Sequence, residues 1–189
     1  MTADKTTRQK IISAAKLLFS THGFGQTTID DIITATGITK GAFYHYFKSK
    51  EIICSEIIDD VKNDYQNIFQ SLPKESNSLE KLKAAILQII ELNSSGQWGN
   101  CKMMLRLSCE SRLMQTAVKQ KSDDFWKWYI DQYRQLITEC RDSKLIGNKL
   151  TAEQQVDIII SFLTGNIWTK AVFDRKTDKE IIEHIIEKL

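Results

Sequence analysis

Residues 27–50 read Thr-Thr-Ile-Asp-Asp-Ile-Ile-Thr-Ala-Thr-Gly-Ile-Thr-Lys-Gly-Ala-Phe-Tyr-His-Tyr-Phe-Lys-Ser-Lys, and this stretch decides the fold. Two short helical patterns meet at Thr36-Gly37-Ile38-Thr39, where the glycine marks a turn. Thr39 suits the cap of the second pattern, because its hydroxyl accepts an otherwise orphaned N–H of the first turn. Phe43 and Phe47 stand four apart, share a face and anchor that helix. Lys40, Gly41, Tyr44 and His45, related by three or four positions, fall on a different face. The aromatic run also reads as a small core, which suits Phe43, Tyr46 and Phe47. Core packing has no need of Lys40, Tyr44 and His45 in those places.

A helix too short to be a core element, carrying such an outward set behind a bracing helix, is the pattern of a helix-turn-helix. On that expectation Lys40 reaches a guanine edge or a phosphate, and Gly41 lets the backbone approach a duplex closely. Tyr44 and His45 donate to phosphate oxygens.

These residues resemble the DNA-binding signature of the tetracycline-repressor (TetR) family of bacterial transcription regulators. The resemblance is carried by Thr27-Thr28-Ile29 with Ile32, then by Gly37-Ile38-Thr39-Lys40-Gly41, Phe43-Tyr44, Phe47 and Lys50-Glu51. Upstream, Ala14-Ala15, Leu18-Phe19 and Gly23-Phe24 are similar to the family's first helix and following turn. Ile33 and Thr36 depart from it, standing where the family more often has alanine. The resemblance covers about the first 55 residues; beyond them only an all-helical pattern of the right length continues. It implies that Thr27 and Thr28 contact phosphates, that Thr39, Lys40 and Gly41 read bases, and that Tyr44, His45 and Lys50 clamp the backbone. Helix capping alone competes for the two threonines, since Thr28-x-x-Asp31 reads as a capping box.

The remainder fits an all-α chain. With 189 residues, one proline, eight glycines and no alternating strand pattern, the sequence reads as about nine helices. The net charge of +2 is divided: residues 1–50 hold seven lysines and arginines against three aspartates, leaving the rest at −2. The basic side coincides with the motif, as an electrostatic footprint on DNA should. Residues 1–50 are therefore expected to form a helix-turn-helix domain (motif 28–47), and residues 51–189 a ligand-binding and dimerisation domain. Thr6-x-x-Gln9 is expected to open the first helix, Ser49 to cap a long connecting helix ending before Pro73, and Asn77-x-x-Glu80 to start the fifth. A short helix over about 100–109 and a long aromatic one over about 113–141 follow. Thr151-x-x-Gln154 and Thr177-x-x-Glu180 are expected to open the last two.

Several functions find no support. Cys54, Cys101, Cys109 and Cys140 lack paired spacing and His22, His45 and His184 are scattered, so neither a metal site nor a disulfide framework is expected. There is no nucleophile elbow, metal-binding histidine pair or glycine-rich phosphate loop, hence no expected enzyme and no cofactor. A polar N-terminus and the lack of a membrane-length apolar run point to the cytoplasm and to no membrane partner.

The last two helices carry a second signal. Ile181, Ile182, Ile185, Ile186 and Leu189 recur at helical spacing, and such a helix either closes its own core or joins a two-fold partner. A homodimer through these helices, on a palindromic operator of double-stranded DNA, suits one short recognition helix per chain. The body concentrates Trp98, Met103, Met104, Trp126, Tyr129, Tyr133, Phe162 and Trp168, a set expected to line a pocket for a small organic inducer. The same residues serve any helical core, and family resemblance implies the pocket and a repressor's response to it. Two rivals stand beside this reading. Cys101, near a probable helix N-terminus and beside Lys102, would sense oxidants or electrophiles. A helical adaptor would use the N-terminal motif for protein rather than DNA.

Overall fold

The computed structural model describes residues 2–94, 99–111, 117–174 and 179–189. All regular structure among them is helical: α1 (Thr2–Thr21), α2 (Ile29–Thr36), α3 (Lys40–Tyr46), α4 (Lys50–Gln70), α5 (Ser78–Ser94), α6 (Gly99–Ser111), α7 (Ala117–Asp142), α8 (Ala152–Phe173) and α9 (Lys179–Glu187). Local chemistry sets most of these ends. Asn77 Oδ1 accepts the Glu80 N–H at 3.0 Å where α5 begins. Thr151 and Gln154 form a full capping box at α8, whose C-terminal cap is Asp174 in the left-handed region at φ 51°. α4 stops at Gln70, ahead of Pro73, which cannot continue a helix. The first helix departs from its expected start: it is already under way at Thr2, so Thr6 lies within it. No glycine or proline interrupts residues 2–6, and a helix once nucleated propagates through such a stretch. The expected start of α9 at Thr177 lies outside the described residues.

Two compact units divide the chain. One comprises residues 1–62 and 99–125, the other 63–98 and 126–189, so α4 and α7 each contribute to both. In the first unit α1 packs on α2 and α6, and α2 on α3. Its core holds Ile11, Ala15 and Phe19 from α1, Ile32 from α2, Phe43 and Phe47 around α3, and Ile53, Ile57 and Val61 from α4. Met103, Met104 and Leu107 of α6 are buried in this unit as well. Each side chain of this size, fully buried, contributes about 1.5–3 kcal/mol.

In the second unit α5 packs on α8 and α9. Leu82, Ala85, Ile86 and Ile89 meet a core that includes Tyr133, Ile137, Val156, Ile159 and Leu163, with Ile182, Ile186 and Leu189 buried at the chain's end. Gln155 fastens that end: its Nε2 donates to the carbonyls of Gly147 and Leu189, while its Oε1 accepts from Arg141 at 2.8 Å. α8 carries apolar side chains on more than its buried face. It buries Val156, Ile159, Leu163 and Ile167, yet leaves Ile158, Trp168, Val172 and Phe173 exposed.

Candidate nucleic-acid interface

α2, the turn and α3 are built as two capped helices. Thr28 Oγ1 accepts the Asp31 N–H at 3.1 Å and donates to Asp31 Oδ2 at 2.7 Å, and Oδ2 also takes the Thr28 N–H at 2.8 Å. The backbone N–H of Thr28, followed by its hydroxyl, holds the Asp31 carboxyl below its ordinary range. Gly37 ends α2 in the left-handed region at φ 68°, where its N–H donates to Ile33 O, and a side chain there would be strained. Two residues later Thr39 Oγ1 accepts the Ala42 N–H at 3.2 Å and starts α3.

This frame turns α3 in one direction. Phe43 and Phe47 are fully buried, their ring centroids 6.4 Å apart, and the Arg8 guanidinium of α1 sits 5.0 Å over the Phe47 ring. Thr39, Lys40, Gly41, Tyr44 and His45 are all exposed. A Cβ on Gly41 would meet nothing within 4 Å, so open space lies in front of it. The Tyr44 ring stands edge-on to Phe43 at 5.4 Å and His45 edge-on to Tyr46 at 5.0 Å, which limits both without covering them. Lys40 Nζ lies 3.6 Å from Asp30 Oδ1, an exposed pair that water and salt readily loosen. Lys48 Nζ donates to Tyr44 O at 3.0 Å and tidies the C-terminal end of α3.

The flanking residues of the expected set have partners within the chain. Thr27 is 1% exposed and its hydroxyl donates to Gly23 O at 2.6 Å. Lys50 Nζ donates to Phe24 O at 2.8 Å and Thr27 O at 2.9 Å, and sits 4.5 Å from the Phe24 ring centroid. Both therefore brace the turn between α1 and α2. From α6, Arg106 joins them, donating to Thr21 O at 2.7 Å and His22 O at 2.6 Å. Its neighbour Glu110 accepts the Gly25 N–H at 2.9 Å and pairs with Arg106 Nε at 3.1 Å. Arg106 and Glu110 are absent from the sequence reading. Their four-residue spacing is visible, but backbone partners some 85 positions away are not.

Of the residues expected around an inducer, three fall together. Tyr129 stands edge-on to Trp126 at 5.9 Å and to Tyr133 at 5.3 Å, and Tyr65 and Phe69 of α4 extend the cluster at 5.2 and 6.3 Å from Tyr129. Phe162 is half-buried on α8. Met103 and Met104 are buried in the first unit. Trp168 is 58% exposed and packs edge-on to Phe173 at 5.4 Å. Trp98 lies outside the described residues, as does the side chain of Cys101. Among the other thiols, burial pushes Cys54 up to about 12 and Cys140 upward too, whereas Cys109 is exposed.

Residues 11–57 match the family model described as bacterial regulatory proteins, tetR family. The chain is similar to the HTH-type transcriptional regulator AcrR of Shigella flexneri, 26% identical over 167 residues that span 84% of this chain and 75% of that one. In fold it is similar to a putative fatty acid metabolism regulator of Clostridium perfringens, with TM-score 0.77, 21% identity and 94% of each chain covered. It also resembles AibR, solved in complex with isovaleryl coenzyme A and operator DNA, with TM-score 0.76, 19% identity and 95% and 96% of the two chains covered.

Proposed function

We infer, from a chain that belongs to the tetR family of bacterial regulatory proteins and regulates transcription by binding DNA, that it works as a homodimeric repressor released by a small organic molecule. The observation that carries this reading is the face of α3. Lys40, Gly41, Tyr44 and His45 are turned out on a helix whose two phenylalanines are turned in. Thr39, Lys40 and Gly41 read base edges in the major groove, while Thr28, Tyr44 and His45 hold phosphates. Thr27 and Lys50 act at one remove, by fixing the turn that sets the entry of α2. In this scheme residues 1–50 are the reading head and residues 51–189 the sensing and dimerising body.

A single α3 spans only a few base pairs, so specificity calls for two heads on a two-fold palindrome. The exposed apolar side chains Ile158, Trp168, Val172 and Phe173 of α8 and Ile181 of α9 supply a face for the partner copy. This gives Trp168 a place in the dimer rather than in a pocket. The inducer acts on the rings around Tyr129, and the operator complex of AibR with an acyl coenzyme A supports an organic ligand for a chain of this fold. Ligand and operator prefer different populations of the dimer, and release extends no further than the ligand's differential affinity for them. With DNA as partner, the protein works in the bacterial cytoplasm; no helix among the described residues is long and apolar enough to cross a membrane.

The test is selection of DNA fragments by the purified protein, followed by binding titrations against salt. Specific DNA should be palindromic, and its binding should weaken steeply with salt as counterions are released. Lys40→Ala should relax base preference at one position per half-site. Recovery of unrelated sequences with no salt dependence would refute DNA reading by α3.

A further inference from the structure

At the end of α4 the second unit contains a cleft of about 260 Å³ that the roles above leave unused. Phe69, Leu72 and Leu136 are the apolar members of its lining, and Lys74 and Lys81 its cationic ones. Gln132, Gln135, Leu136 and Glu139 line it from one face of α7, at the three- and four-residue spacing of a helix. The lining thus holds two lysines and a single carboxylate residue. Glu139 is already engaged, accepting the Gln135 amide at 3.1 Å, and neither lysine is ion-paired with a described residue. A cleft whose lining combines apolar side chains with surplus positive charge and amide donors matches a molecule that is part apolar and part anionic. At about 30 Å³ per non-hydrogen atom, the share a water molecule takes in the liquid, the space holds roughly nine such atoms.

We propose that this cleft binds an amphipathic organic anion with a chain of about eight carbons, its tail on Phe69, Leu72 and Leu136 and its acid group at Lys74 and Lys81. Phe69 is the link to the sensor. Its ring lines the cleft and also stands edge-on to Trp128 at 5.9 Å, Tyr129 at 6.3 Å and Tyr133 at 5.5 Å. An occupant therefore presses on the aromatic cluster that the previous subsection assigns to induction. The effect on DNA rests on that reading, whereas binding itself does not.

The full-length protein is titrated with octanoate, octyl phosphate, 1-octanol and octyltrimethylammonium, followed by tryptophan fluorescence and by release of selected operator DNA. One or both anions should bind about tenfold more tightly than the alcohol, the gain expected from two half-exposed ion pairs. The cation should bind more weakly still, and the stronger of the two anions identifies the head group. Lys74→Gln with Lys81→Gln should remove the anion's advantage and leave the alcohol's affinity and the thermal melt unchanged. Equal binding of anion and alcohol, or an unchanged anion affinity in the double variant, overturns the proposal. Anion binding by the native protein without DNA release upholds the cleft and refutes only the induction reading. No anion binding by a protein that still holds its operator refutes the cleft alone.

Discussion

Replacing Gly23 by alanine should damage the head through a contact that crosses from α6. Gly23 has φ +93°, a backbone conformation that costs an L side chain about 1 kcal/mol. The added Cβ would stand 2.1 Å from Glu110 Oε1 and 2.8 Å from Arg106 Nε. Both are ends of flexible side chains, so they move in place of the backbone. Moving them loosens the bonds to Gly25 N, Thr21 O and His22 O. Charge-assisted bonds of this kind, discounted for partial exposure, sum to about 2 kcal/mol. Gly23→Ala should thus cost about 3 kcal/mol, or roughly 6–12 °C in melting temperature for a chain of this length. Glu110→Ala alone removes the Gly25 bond, for about 1 kcal/mol. It removes the nearer clash but leaves Arg106, so the Gly25 bond is counted once and the double variant should lose about 3 kcal/mol where independent sites would lose about 4. Urea denaturation of the four proteins at one fixed concentration measures the cycle. Additive losses would refute the shared contact, and a neutral Gly23→Ala would refute the backbone argument as well.

Lys50→Gln should destabilise the protein by about 1–2 kcal/mol in urea melts, through loss of two carbonyl contacts. It should leave the salt slope of DNA binding unchanged, whereas Lys40→Ala relaxes base preference; a slope flattened by about one unit in Lys50→Gln would make Lys50 a direct phosphate contact. The depressed Asp31 carboxyl contributes stability that is present above its ordinary value of 3.8 and is lost as pH falls through its lower folded value. Its resonance in a pH titration should therefore move with a midpoint below 3.8, and Thr28→Val should raise that midpoint; a variant with the same midpoint would contradict the capping geometry. With its thiol pushed up to about 12, Cys54 should resist a disulfide reagent at pH 8 until the protein unfolds, while Cys109 reacts at once. Prompt labelling of Cys54 in the native protein would contradict its burial.

Local rules made the helix-turn-helix legible. Thr28, Gly37 and Thr39 act within four residues of themselves, and the Phe43–Phe47 spacing fixes a face without reference to the rest of the chain. The capping box at Thr151 was readable for the same reason. Roles that depend on distant partners were not. Thr27 and Lys50 look like any threonine and lysine beside a DNA-binding motif until the carbonyls of Gly23 and Phe24 are placed next to them. Met103 and Met104 are buried while Trp168 is 58% exposed, a difference that composition alone does not carry. The cleft beside Lys74 and Lys81 has no local signature, because it joins the end of α4 and the start of α5 to the C-terminal half of α7, segments some sixty residues apart.

The membership of α6 in the first unit bears on how far the reader of DNA is portable. A graft cut after residue 62 would take α1, α2, α3 and most of α4, yet leave behind Met103, Met104, Leu107 and the Arg106–Glu110 clasp on the Thr21–Gly25 turn. The transplanted piece would show water a greasy flank of α1 that α6 normally covers. A chimera that swaps operator preference between two regulators of this fold should exchange residues 99–125 together with the amino-terminal segment, treating two stretches distant in the gene as one cassette.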